Sequence, residues 1–452
     1  MKKRQSSTPP FQNRKPLLRK NPKRGPKAWF FWSLAILLGL ALGGGVYWSS
    51  FFHPWSPSET QKELLRARKM DEFRTQIREQ LGDQFSQHIY PSSAQLNLKI
   101  APETFHIRYT FDPALEEEAR KLLQTYNQDY GSIVSMDADT GAILALQNYE
   151  RASESPRNWA ITATFPAASV FKIVTATAAL DRHQLSPDTL VMFNGSNHSL
   201  HRRNVLSNQV NRWTREMTLR EAFGLSVNTF FGRLAFEKLQ PTDLEDYAIR
   251  FGFNKSITSD LPFDTGFTQI PQEKNFHLAE IASGLNLVTR MSPLQGAMIA
   301  ASVAAHGTMR VPYIVKQLVR ANLDDPIAFQ SEPITAAVTM SAEGAQRLKV
   351  LMHQTVTNGT SRAAFRPFLK DRRMREIEVG GKTGSLRGDE PRGKTDWFVG
   401  YAVGENRKLA IAAVTAHKEF WTVKSAYLAQ VLFKKYFRDH LDETPERLFS
   451  SR

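Results

Sequence analysis

Ser169 and Lys172 stand three residues apart in the stretch Ala167 to Leu180, where Lys172 is the only charge among small and apolar residues. On a helix that spacing puts the hydroxyl and the amine on one face. A hydroxyl is a poor nucleophile until a nearby base takes its proton. A lysine stripped of water is driven toward the neutral amine, which can act as that base. Pro166 marks the start of the helix, so Ser169 falls in its first turn, where free N–H groups and the helix dipole favour developing negative charge. Taken alone, the segment fits equally well a serine at a helix start and a lysine that snorkels to the surface.

Two later strings add to this chemistry. Thr218-Leu219-Arg220-Glu221 is a capping box that opens a helix, Gly224-Leu225 suggests its end, and a helical pattern resumes from Phe230 to Leu239. Ser226-Val227-Asn228 then lies in the connection. A second hydroxyl can relay a proton, and an amide can bond both a lysine and a carbonyl. By themselves Ser226 and Asn228 are also ordinary turn residues. The third string, Gly380-Gly381-Lys382-Thr383-Gly384-Ser385, ends an alternating stretch that begins at Glu376. Its glycines admit close approach of backbone or ligand, and a lysine with the hydroxyls of Thr383 and Ser385 suits a carboxylate. Lys382 placed near Lys172 would lower the pKa of the base further, by like-charge repulsion.

The elements that must position these strings follow from the hydrophobic pattern. Ser132–Met136 and Ala142–Leu146 flank Asp137-Ala138-Asp139-Thr140-Gly141, which predicts a β-hairpin. Trp397–Val403 and Leu409–Thr415 predict a second hairpin, and residues 423–438 a C-terminal helix. Strands at both ends with helices between them predict an α+β domain in which the ends share one sheet and the middle forms a helical lobe. Upstream, residues 58–81 predict an amphipathic helix carrying Leu65, Phe73, Ile77 and Leu81. Leu96–Ile100 and Phe105–Phe111 predict two short strands, and Asp112-Pro113 starts a helix to Tyr126. This upstream part reads as a stalk or pedestal.

Gly388 to Thr395 satisfies the phosphate-binding pattern G-x-x-x-x-G-K-[ST]. Its context excludes that use. No apolar strand precedes it, Asp389 and Glu390 repel phosphate, and Asp396-Trp397-Phe398-Val399 continues as a strand where a helix is required.

The net charge is +15, of which residues 1–28 supply +10 and contain no acid. The basicity is a tail and not a groove on a domain, so no nucleic-acid partner is expected. Residues 28–52 carry no charge, which is long enough to span a bilayer, with Trp29, Phe30 and Trp32 at one end and Tyr47 and Trp48 at the other. The expectation is one retained membrane helix, with the N-terminus cytoplasmic and the bulk of the chain outside the inner (plasma) membrane. The alternative is a signal peptide cleaved near Ala41-Leu42-Gly43. The absence of cysteine excludes disulfides, thiolate metal sites and a cysteine nucleophile. His198 and His201 are the only close histidine pair, and nothing nearby completes a metal signature, so no metal and no cofactor are expected. The expected divisions are a disordered tail 1–28, a membrane helix 29–52, a stalk 53–127, a catalytic domain 128–440 and a tail 441–452.

With these strings in this order, the chain resembles the transpeptidase domain of penicillin-binding proteins from about Tyr109 to Lys435. Phe111-Asp112-Pro113, the Met136-Asp137 hairpin, Ser292-Pro293-Leu294-Gln295, Asn358-Gly359-Thr360 and Trp397-Phe398-Val399-Gly400-Tyr401 add to the resemblance. It implies a five-stranded antiparallel sheet flanked by helices plus a helical lobe. It also implies a peptidoglycan D,D-transpeptidase that is acylated by β-lactams. Ser169 would attack the carbonyl of the penultimate D-Ala of a stem peptide, with Lys172 as general base. Ser226 would relay the proton to the leaving amine, and Asn228 would orient Lys172 and the substrate amide. Lys382 would fix charge in the site, and Thr383 and Ser385 would bind the terminal carboxylate around Gly384. The backbone N–H groups of Ser169 and Ser385 would form the oxyanion hole. The partners implied are stem peptides, β-lactams, membrane lipid around one helix, and a membrane glycan polymerase. Ser385 departs from the family, which usually has threonine there, but a hydroxyl survives. A D,D-carboxypeptidase or β-lactamase, or a penicillin-binding sensor or scaffold, would carry the same motifs.

Overall fold

The computed structural model describes residues 97–440, except 101–102, 152, 154–156, 208 and 321–326, together with scattered positions between 61 and 79. The basic tail 1–28, the uncharged run 29–52, most of 53–96 and the tail 441–452 lie outside the described residues. Every described position from Gln61 to Glu79 is helical, as the spacing predicts; Ile77 is buried, whereas Leu65 is exposed. Among the described residues no helix is long and apolar enough to cross a membrane.

Strands β1 (Asn97–Ile100) and β2 (Glu103–Tyr109) lead into helix α1 (Pro113–Tyr126). Asp112 caps α1 by accepting from the backbone N–H groups of Ala114 and Leu115, with Pro113 at the first helical position. The predicted hairpin follows as β3 (Tyr130–Asp137) and β4 (Ile143–Glu150). The middle of the chain is mainly helical, with α2 (Lys172–Thr177), α3 (Leu219–Gly224), α4 (Asn228–Lys238), α5 (Phe276–Ser283) and α6 (Pro293–Ala304). After β5 (Val315–Arg320), β6 (Ile327–Gln330) and α7 (Ala342–Thr357) come the long strands β7 (Glu378–Asp389), β8 (Arg392–Val403) and β9 (Lys408–His417). Helix α8 (Ser425–Asp439) closes the described chain.

The central sheet has five strands in the order β7-β8-β9-β3-β4, all antiparallel, so the two ends of the domain do share one sheet. Both of its faces are covered, which explains why β9 reads as a nearly unbroken run of apolar and small residues. The period of two sorts its side chains: Ala410, Ala412, Val414 and Ala416 join the core beneath the helical lobe, while Leu409, Ile411 and Ala413 join the core under α8. Helix α6 is buried along its whole length, and a Cβ on its Gly296 would stand 3.0 Å from the Cβ of Ala412, so the helix axis rides close to the sheet. The phosphate-loop pattern at Gly388–Thr395 is the tip of the β7–β8 hairpin, with Gly388 opposite Gly393.

Strand β2 and helix α1 are built into the same body as the sheet, and Arg68–Arg452 forms one compact unit. β2 pairs with β5, and α1 buries Leu115, Ala119, Leu122 and Leu123 in the core shared with α8. A stalk and a domain edge show the same alternating and helical patterns; only the partner surfaces, far along the chain, tell them apart.

Trp397 on β8 is fully buried, and its indole Nε1 donates to the carbonyl of Pro166 at 3.0 Å, tying the sheet to the turn that carries Ser169. Trp397→Phe keeps an aromatic ring there but leaves that carbonyl unpaired. Urea unfolding is expected to show a loss of about 1–3 kcal/mol; wild-type stability would mean the contact adds nothing.

Candidate active site

Ser169 lies on a turn of 3₁₀-helix, Ala168–Phe171, that runs into α2 at Lys172. The sequence suggested an α-helix from Ala167. The difference has a local cause: Ala168 adopts φ +49°, in the left-handed region, and tightens the entry. In a 3₁₀ turn, residues three apart eclipse each other. Lys172 Nζ accordingly sits 2.7 Å from Ser169 Oγ.

Lys172 Nζ has two further neighbours, Asn228 Oδ1 at 2.8 Å and the backbone carbonyl of Ser283 at 2.5 Å. Both are acceptors only. A neutral amine has two N–H groups and one lone pair. With the N–H groups given to Asn228 and Ser283, the lone pair is left for the Ser169 hydroxyl. Burial first, and the Lys382 ammonium second, hold the Lys172 pKa well below the usual lysine range. Electrostatics therefore favours the free base, and the geometry accommodates it.

Asn228 is the first residue of α4, and its own orientation is fixed from behind. Its Nδ2 donates to the carbonyl of His198 at 3.0 Å, which leaves Oδ1 facing Lys172. Ser226 sits in the turn between α3 and α4 with φ +57°, an uncommon conformation for a non-glycine residue that aims its hydroxyl inward. Lys382 Nζ donates to Ser226 Oγ at 2.8 Å and to the carbonyl of Thr383 at 2.8 Å. Lys382 is fully buried, and burial pushes its pKa down to about 7.

β7 is the edge strand against which the Ser169 turn packs. A Cβ on Gly384 would stand 3.2 Å from Val170 N and 3.3 Å from the carbonyl of Ala167, so glycine admits the turn there. Gly284 does the same from the other side: it ends α5 at φ +72°, and a Cβ would meet the carbonyl oxygen of Ala168 at 1.9 Å. Thr383 is half-buried, with its hydroxyl 2.6 Å from that of Thr360. Ser385 is exposed and donates to Asp396 Oδ1 at 3.2 Å.

The structure thus brings Ser169, Lys172, Ser226, Asn228 and Lys382 together, with Thr383, Gly384 and Ser385 along the neighbouring strand edge. Sequence reasoning missed Ser283 and His198, which act through backbone carbonyls and carry no side-chain signature. In the sequence His198 stands out only as one of a histidine pair, and Asp396 only as the start of a strand. Among the described residues no group of histidine, cysteine, aspartate and glutamate side chains is placed to hold a metal ion.

A fold and a site of this kind define a serine acyltransferase. The family model for the penicillin binding protein transpeptidase domain matches residues 131–438, and the chain belongs to that family. Stage V sporulation protein D of Bacillus subtilis is 24% identical over 287 residues, covering 60% of this chain and 42% of that protein. Peptidoglycan D,D-transpeptidase PbpA of Mycobacterium tuberculosis is 24% identical over 356 residues, covering 69% of this chain and 67% of that one. The chain thus spans less than half of the first relative and about two thirds of the second. Among solved structures, the D,D-transpeptidase domain of a peptidoglycan glycosyltransferase from Eggerthella lenta superimposes with a TM-score of 0.61 at 24% identity, covering 74% of this chain and 84% of that one.

Burial of the lysines ties stability to pH. In the unfolded chain a lysine titrates near 10.5, whereas Lys382 in the folded chain does so at about 7. Between these values the unfolded state binds more protons, so stability rises with pH across that window. Lys382→Met removes this contribution, and urea unfolding at several pH values within the window should show a shallower rise. A variant with the wild-type slope would mean that Lys382 stays charged in the folded protein.

Proposed function

We propose that this chain is a membrane-anchored peptidoglycan D,D-transpeptidase that works through a Ser169 acyl-enzyme and is trapped by β-lactams. The observation that carries this reading is Lys172 Nζ at 2.7 Å from Ser169 Oγ, with its other two neighbours both acceptors. Ser169 Oγ bonds to the carbonyl carbon of the penultimate D-Ala while its proton passes to Lys172. The bond to the last D-Ala breaks, and its nitrogen takes a proton from Ser226, which is reprotonated in turn by Lys172. An amine of a second stem peptide then attacks the ester, forming the cross-link and returning the proton to Ser169. Lys382 would gain its proton as the substrate carboxylate arrives, because a nearby anion favours the charged amine. Family membership and the named activity of the PbpA relative support the same assignment.

Among the described residues, no acidic side chain is hydrogen-bonded to Ser169, Lys172, Ser226, Asn228 or Lys382. The uncharged run 29–52 behind a basic tail supports a single membrane anchor with the catalytic domain outside the cytoplasm.

Incubation with a labelled pentapeptide ending in D-Ala-D-Ala, with and without an acceptor amine, tests the reaction. Cross-linked product is expected with the acceptor; free acid alone would make the protein a hydrolase. Neither product, with penicillin labelling intact, would make it a sensor. Ser169→Ala is expected to abolish labelling by fluorescent penicillin while the protein stays folded.

The two lysines separate by substitution. Lys172→Arg should be nearly inactive, since a guanidinium does not deprotonate in a protein. Lys382→Arg should lose about 10²-fold through misplacement of the charge. The second-order rate of acylation by benzylpenicillin is the measurement; a faster Lys172→Arg would move the base to the Ser226–Lys382 branch. For the anchor, protease added to spheroplasts is expected to digest the chain after Pro57 and spare an N-terminal tag. Loss of the tag would reverse the topology.

A further inference from the structure

The turn Asn358-Gly359-Thr360, between α7 and the helix Arg362–Leu369, belongs to none of the motifs that carry the chemistry. It nevertheless touches two of them. Thr360 N donates to the carbonyl of Gly224 at 3.0 Å, at the end of α3 and two residues before Ser226. Gly359 makes that approach possible: a Cβ there would lie 2.2 Å from the carbonyl oxygen of Gly224 and 2.8 Å from Thr355 Cα. On its other side the turn meets β7, where the Thr360 and Thr383 hydroxyl oxygens are 2.6 Å apart. Thr360 is exposed and Thr383 half-buried, so the pair stands at the rim of the site.

Two hydroxyls at this distance share one proton and leave the other free. If Thr360 donates to Thr383, the Thr383 proton is free to meet an anion. If Thr383 donates to Thr360, its own proton is withdrawn from the site. A carboxylate at Thr383 selects the first arrangement, and each hydrogen bond in such a chain strengthens the next. We propose that Thr360 is a positioning residue for Thr383, setting the direction of its hydroxyl toward the substrate carboxylate. This rests on the D,D-transpeptidase reading and deepens it: carboxylate recognition extends to a hydroxyl outside the three motifs. The backbone bond to Gly224 also ties that hydroxyl to the segment that carries Ser226.

Thr360→Val keeps the shape of the side chain and its backbone bond but removes the hydroxyl. Acylation is compared for benzylpenicillin and for its methyl ester, in which the carboxylate is masked, on the full chain. The variant should lose about tenfold with the acid, through weaker binding and not slower bond formation. With the ester its rate should match wild type, and Thr360→Ser should restore the acid rate. A wild-type rate for Thr360→Val, or an equal loss with acid and ester, overturns the proposal. Failure of the underlying reading looks different: the unaltered chain would then not be acylated by benzylpenicillin at all.

Discussion

Two lysines, both removed from water and with no carboxylate among the described residues bonded to either, govern the rest of this site. A buried ammonium without a counter-ion is costly, so the protein sheds protons instead of supplying acids. That choice decides what must surround each amine. Lys172 is given acceptors that consume its N–H groups, so its lone pair has one remaining direction. Lys382 is given a hydroxyl and a backbone carbonyl, which suit a group poised between charge states. The two amines also act on each other, since protonation of Lys382 makes protonation of Lys172 harder.

Close approach of backbone is what makes the arrangement possible. Gly284, Gly384 and Gly359 each stand where a side chain would strike a neighbouring main chain or the turn it supports. Gly284 lets the end of α5 reach the Ser169 turn, and so brings the Ser283 carbonyl to Lys172. Gly384 lets that turn rest on the edge of the sheet. Of the six described non-glycine residues with positive φ, two, Ala168 and Ser226, stand beside the site. Such conformations persist only where the surroundings over-determine them, and here helix ends and a sheet edge do so.

Much of this was legible in the sequence. The lone lysine in an apolar helix, three residues after a serine, announced the pair, and the alternating runs at both ends announced one sheet. The capping box at Thr218 and the Asp112-Pro113 start are found as the residues predict. What escaped detection has a common physical origin. Ser283 and His198 contribute backbone carbonyls, which every residue has. The body's edge at β2 and α1 depends on partners such as β5 and α8, distant in sequence. The charge state of Lys382 depends on a burial that its flanking glycines do not reveal: the sequence suggests a fixed cation, whereas the folded site lowers its pKa to about 7.

The strand order of the central sheet carries a consequence for the birth of the molecule. β3 and β4 are synthesised early, yet β3 finds its other neighbour only in β9, at residues 408–417. Lys382 likewise arrives more than two hundred residues after Ser169. A chain emerging from its N-terminal end therefore holds the nucleophile long before it holds the sheet. Pairings this distant form late and expose apolar surface while they wait. The nucleophile is harmless during that interval, because an unfolded lysine stays protonated and cannot take its proton. On the proposed acyl-enzyme mechanism, reactivity switches on with closure of the last strands, so acylation reads out completed folding as faithfully as it reads out chemistry.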